Sequence, residues 1–236
     1  MTSEALADRL ARVREAITAA CRKVGRDPGA VRIVAITKGH SAQVLIGAVE
    51  AGLKDIGESR VQEAIAKFDR AGATLSASGV RLHMVGHLQR NKVRDAVVTF
   101  DWIQSVDSIR LARALAERAD RCEPIPVLIE INAAGEEQKF GFPPEEAVQR
   151  GLEIAGLEGL AVRGAMAMAP WTNDEATLRQ VFRAARRVFE DLKAARPGDE
   201  RIDTLSMGMS NDYPLAIEEG STMVRLGTVL FGSTGN

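Results

Sequence analysis

Cysteine is scarce: only Cys21 and Cys122 occur in 236 residues, each within a helix-like pattern. Two idle or buried thiols exclude a disulfide framework and make a cysteine-based metal site a poor reading. No apolar run approaches the ~18–20 residues that cross a bilayer. The opening MTSEALADRLARVREA is too charged for the apolar core of a signal peptide. An excess of one charge is missing too: 31 Lys and Arg stand against 32 Asp and Glu, a formal net charge of −1. A dedicated nucleic-acid binder would show a basic surplus. No polar, Pro/Gly-rich or low-complexity linker interrupts the chain, so residues 1–236 read as a single domain. Secretion, membrane insertion and nucleic acid are thereby excluded as expectations. What is left is a soluble cytoplasmic α/β domain, and the lack of an obvious apolar surface stripe favours a monomer.

Leu6, Leu10, Val13, Ile17, Cys21 and Val24 repeat every three or four residues, the apolar stripe of a leading helix. Val31 to Ile36 is short, β-branched and nearly all apolar, which predicts a buried strand. Strand-like runs recur near 54–57, 82–86, 101–105, 125–131, 160–166, 202–205 and 222–226. Helical patterns alternate with them near 42–52, 59–71, 89–98, 108–121, 144–155, 174–194 and 211–219. Eight such units make either an open doubly wound sheet or a closed (β/α)8 barrel. The open sheet favours a Gly-rich turn after an early strand, which is absent: the first strand ends in Thr37-Lys38-Gly39-His40. The expected fold class is therefore α/β, a single (β/α)8 TIM barrel with an extra N-terminal helix, for which ~250 residues is typical.

Active sites of such barrels lie at the C-terminal ends of the strands. Lys38 ends the first strand and is placed there either as a dehydrated amine for Schiff-base chemistry or simply as the strand's exit into solvent. Ser206-Met207-Gly208-Met209-Ser210-Asn211 and Met223-Val224-Arg225-Leu226-Gly227-Thr228 follow or form the last two strands, where barrels commonly bind phosphate. The plainer reading is ordinary turns and helix caps. Arg225, inside an apolar strand, either lines the mouth or pairs with Glu218 or Glu219. His83 and His87 make a poor metal site without a carboxylate beside them, and His87 reads better as a core or capping residue. Lys139, after the fifth strand, is a competing amine. No Ser-His-Asp order, P-loop or CxxC pair is present.

Taken together, Val34-Ala35-Ile36-Thr37-Lys38, Ile56-Gly57-Glu58, His83-Met84-Val85-Gly86-His87-Leu88-Gln89-Arg90-Asn91-Lys92, Lys139-Phe140-Gly141 and the Ser206 and Met223 segments resemble the pyridoxal phosphate homeostasis proteins. The resemblance runs from the first helix to the last strand. It implies a barrel like the N-terminal domain of alanine racemase, with pyridoxal 5′-phosphate (PLP) as cofactor. By the same resemblance Lys38 is the Schiff-base lysine. Ser206 with the backbone of Met207, Gly227 and Thr228 is the phosphate cradle. Arg225 faces the pyridine nitrogen, and Ser59 and His83 complete the surround. Where that family reads Gly-Glu-Asn-Tyr, this chain has Gly57-Glu58-Ser59-Arg60, and Gly39-His40 replaces a proline that often follows the family's lysine.

The function expected from this is a PLP carrier or buffer with little turnover, serving PLP-requiring apo-enzymes. A PLP-dependent racemase or decarboxylase is the alternative, and a class I aldolase acting on a sugar phosphate a more distant one. Racemisation needs a second base; alanine racemase takes a tyrosine from a second domain, and the sole tyrosine here, Tyr213, falls after strand seven.

Overall fold

The computed structural model describes residues 3–119, 123–136 and 140–233, so Cys122 and Lys139 lie outside the described residues. Eight parallel strands close into a barrel in chain order. They are β1 (Arg32–Ile36), β2 (Asp55–Glu58), β3 (Arg81–Met84), β4 (Trp102–Val106), β5 (Ile125–Ile131), β6 (Leu160–Ala167), β7 (Thr204–Ser206) and β8 (Met223–Leu226). Closure is made by β1 against β8, from Arg32 beside Met223 to Ala35 beside Leu226. The helices are α1 (Ser3–Lys23), α2 (Ala42–Glu50), α3 (Val61–Ser78), α4 (Val93–Thr99), α5 (Ile109–Ala116), α6 (Pro144–Ala155), α7 (Glu175–Ala194), α8 (Tyr213–Glu218) and α9 (Thr228–Phe231). No helix among the described residues is long and apolar enough to cross a membrane.

The period-two pattern of the strands divides the core in two. Ala35, Ile56, Met84, Ile103, Val127, Ile129 and Leu205 belong to the large cluster that joins the barrel wall to the helices. Between them in sequence, Val34 and Ile36 cluster with Val85 and Met223, and Leu128 clusters with Trp102 and Met166. These fill the interior. Each helix presents the stripe that its spacing requires: Leu178, Val181, Phe182, Ala185, Val188, Phe189 and Leu192 are the buried face of α7. That helix starts where the Asp174 side chain accepts from the amides of Ala176 and Thr177.

Every strand but β5 differs from the sequence expectation by a residue or two at one end or both, and in two of them the shift matters to the site. β2 extends to Glu58 and β7 to Ser206, so both side chains belong to the barrel and not to the loops above it.

Candidate functional site

Lys38 stands on the turn after β1, exposed, at the end of the barrel where the strands finish. Its neighbours are tied down from below. Lys67 of α3 donates to the Thr37 carbonyl at 2.6 Å and pairs with Glu58, while the Thr37 hydroxyl donates to Glu58 Oε1 at 2.6 Å. The Gly39 amide donates to Glu63 Oε1 at 2.6 Å. The residues on both sides of the lysine are thus fixed to β2 and α3. Burial pushes the Glu58 carboxyl above its usual range, against the hydrogen bonds from Lys67 and Thr37.

A chain of hydrogen bonds crosses the barrel interior. Asp55 accepts a two-pronged pair from Arg81 at 2.7 and 2.8 Å and lies 2.8 Å from His83 Nε2. His83 Nδ1 is 3.0 Å from Gln104 Nε2. Gln104 Oε1 accepts from Ser206 Oγ at 2.7 Å, and Ser206 Oγ accepts from Arg225 Nη1 at 2.7 Å. Arg225 also donates to the carbonyls of Ser206 and Ala167, each at 2.8 Å. The directions follow from chemistry. Arginine only donates and an ionised aspartate only accepts, so His83 carries its proton on Nε2 and accepts on Nδ1. Burial raises Asp55, but the hydrogen bonds from His83 and Arg81 outweigh it and bring the carboxyl down to about 2. Burial lowers His83, which keeps the ring neutral, and lowers Arg225 to about 10 against the pull of Asp212 and Glu130.

The expected anion loops divide into two parts. The Ser206 hydroxyl is engaged by Gln104 and Arg225 within the barrel, and the Met207 amide donates to the Met223 carbonyl at 3.1 Å. Ser210 instead meets the start of α9: its Oγ accepts from the amides of Gly227 at 3.3 Å and Val229 at 3.2 Å, with Thr228 exposed between them. A Cβ on Gly227 would stand 3.3 Å from the Ile36 carbonyl, so the turn passes close to the end of β1. Lys38 and the Ser210–Gly227–Val229 turn therefore share one rim.

Other expectations are redistributed. Arg225 does not pair with Glu218 or Glu219; those carboxylates bind Arg179, Arg183 and Lys23 on the outer face. His83 is fully buried and stacks on Trp102 at 5.5 Å, both ring nitrogens engaged. Its part is to hold Gln104. His87 is neither core nor cap: it stacks on exposed Phe140 at 3.7 Å and lies 2.8 Å from Asp107 on the rim. Ser59 is half-buried after β2, its backbone so near Gly86 that a Cβ there would meet the Ser59 carbonyl at 2.5 Å. Sequence reading missed Asp55, Gln104 and Lys67, and quoted Glu58 within a motif without giving it a role. A polar residue at an inward strand position is the signal that marks Asp55 and Gln104.

A barrel with a lysine ending its first strand and an amide-lined turn after its last is the class to which the N-terminal domain of alanine racemase belongs, and that family matches residues 7–235. Full-length relatives are more particular. The Haemophilus influenzae pyridoxal phosphate homeostasis protein is 38% identical over 224 residues, covering 94% of this chain and 92% of that protein. The Escherichia coli (strain K12) protein of the same name is 37% identical over 229 residues, covering 97% and 96%. The solved structure of Synechococcus elongatus PipY with PLP bound matches with a TM-score of 0.81 at 34% identity, covering 96% of this chain and all of that one. The chain belongs to the pyridoxal phosphate homeostasis protein family.

Proposed function

We propose that this protein binds PLP and holds it in the cytoplasm for PLP-requiring apo-enzymes, with little or no turnover of its own. The observation that carries the reading is the placing of Lys38, between two anchored residues, on the same rim as the Ser210 and Gly227 turn. The donor set fits the cofactor. PLP supplies an aldehyde that condenses with an amine and a phosphate that accepts hydrogen bonds. Lys38 is the amine. Ser210 and the amides of Gly227, Thr228 and Val229 form the phosphate cradle, all neutral donors. Arg225 donates to the pyridine nitrogen and keeps that nitrogen unprotonated, which weakens the ring as an electron sink. Ser206, Gln104 and His83 hold Arg225, Met207 fixes the strand below the cradle, and Ser59 flanks the mouth.

Reduction of the PLP-loaded protein with borohydride, followed by peptide mass spectrometry, tests the assignment. The adduct is expected on Lys38 and lost in Lys38→Ala; an adduct on Lys139 in the wild type overturns it. The absence of turnover is supported by the homeostasis role in the relatives' names and by buried Tyr213, only 7% exposed at the start of α8. Solvent deuterium exchange and chiral chromatography of alanine check it: racemisation near an ordinary enzymatic rate, on the order of 10 s⁻¹, makes the protein an enzyme instead.

A further inference from the structure

Among the described residues, Glu130 is a buried carboxyl inside the barrel that has no part in the Lys38 support, the interior hydrogen-bond chain or the Ser210 turn. It lies on β5, the strand diametrically across the barrel from β1 and Lys38. Leu128, two residues before it, is in the interior cluster, while Ile129 and Ile131 belong to the outer core, so Glu130 shares the inward parity. Its level is that of the site: Glu130 is in register with Met166 of β6, and Met166 with Ser206 of β7. The residue is 3% exposed, and its Oε2 is buried with no hydrogen-bond partner among the described residues. A buried carboxyl oxygen left without a partner is costly and calls for one.

We infer that Glu130 is a further ligand-contacting residue, donating a hydrogen bond from its protonated carboxyl to an acceptor atom of the bound cofactor. The inference rests on the PLP reading above. Burial, and then the charge of Asp107, raise the Glu130 carboxyl to about 7, with Arg225 opposing. The charged groups that face it are Asp107 from the turn after β4, itself bonded to His87, and Arg225 from β8; β6 brings only Met166 to its level. A carboxyl raised in this way holds its donor proton below about 7 and loses it as pH rises through that value. Retention of the ligand falls in the same direction.

The test is equilibrium dialysis of PLP and of pyridoxamine 5′-phosphate, which has no aldehyde to react with Lys38, at pH 6 and pH 8.5. The wild type is expected to bind pyridoxamine phosphate about tenfold more weakly at the higher pH. Glu130→Gln, a permanent neutral donor of the same shape, should lose that difference, and Glu130→Leu should bind weakly at both values. Circular dichroism melts confirm that the variants are folded. A wild-type profile parallel to that of Glu130→Gln overturns the role of Glu130 while PLP binding stands. A wild-type profile flat across the range overturns it without any variant. If the wild type binds neither compound, the PLP reading itself fails.

Discussion

Lys67 and Glu58 form an ion pair with side chains 5% and 0% exposed, directly beneath the turn that carries Lys38. Neither residue is adjacent to Lys38 in sequence, yet through Thr37 they set where its backbone leaves the barrel.

Breaking that pair from one side should be expensive. Lys67→Met leaves Glu58 buried without its cation and frees the Thr37 carbonyl, a loss of about 3–5 kcal/mol. For a domain of this size the melting temperature should fall by roughly 6–20 °C. Adding Glu58→Leu should restore most of the stability, because the isolated charge is the costly element, while borohydride trapping at Lys38 stays impaired. A single variant as stable as the wild type would contradict the pairing.

Asp55 predicts how the fold responds to acid. Its carboxyl is lowered from 3.8 to about 2, so the native state favours the ionised form. The stabilisation is complete above about pH 4 and is lost as pH falls toward 2, amounting to about 2 kcal/mol. His83 adds to the loss, since a base lowered by burial resists the proton that the unfolded chain accepts below the ordinary histidine value of 6.5. Urea titrations from pH 6 down to 2 on the wild type and Asp55→Asn measure this. The variant should be less stable at pH 6 and show the shallower decline below pH 4.

The two serines near the last strands should separate. Ser206→Ala removes the acceptor of Arg225 and the donor to Gln104 in a fully buried place, at a cost of about 1–3 kcal/mol of stability. Ser210→Ala touches half-buried amides at the rim and should leave the melt nearly unchanged while weakening PLP retention about tenfold. Dialysis and calorimetry on the pair decide it; equal effects of the two on retention would merge the roles.

Gly227 gives a third separation. Its φ of −116° is negative, so the turn does not demand the left-handed backbone that favours glycine. The limit is space, with the Ile36 carbonyl 3.3 Å from a Cβ. Gly227→Val should lower PLP retention with a small change in melting temperature. Gly208→Val is the contrast: φ is +94° and a Cβ would stand 2.6 Å from that of Ala216, so that variant should lose stability outright.

Alternation and strand count made the barrel legible, and the end of the first strand placed Lys38 on the rim. Both rest on local patterns of apolar residues. The interior chain was hidden for a different reason. His83 and Gln104 are 21 residues apart, and Gln104 and Ser206 are 102 apart; only closure of the sheet and its register bring them together. A boundary error of one residue also changes meaning in a strand. Ending the seventh strand at 205 leaves Ser206 in a loop; with β7 running through Ser206, its hydroxyl lies inside the barrel and Ser210 is left to meet the amides. The same shift moves Glu58 from a turn to the base of the Lys38 support.

The row of bonds from Arg225 to Arg81 permits only one ordering of its protons. Both ends are guanidinium groups, which cannot accept, so somewhere between them two donors must point toward each other and meet a group that only accepts. Asp55 is that group, and every residue on its Arg225 side is committed to passing its hydrogen toward it. The row therefore cannot be inverted, and no single member can be exchanged for one of opposite polarity without leaving a vacancy next to it. Substitutions along it are tolerated in matched pairs or at the cost of the orientation of Arg225. The carboxylate at the start of β2 thus dictates, four side chains away, which way the guanidinium on β8 faces.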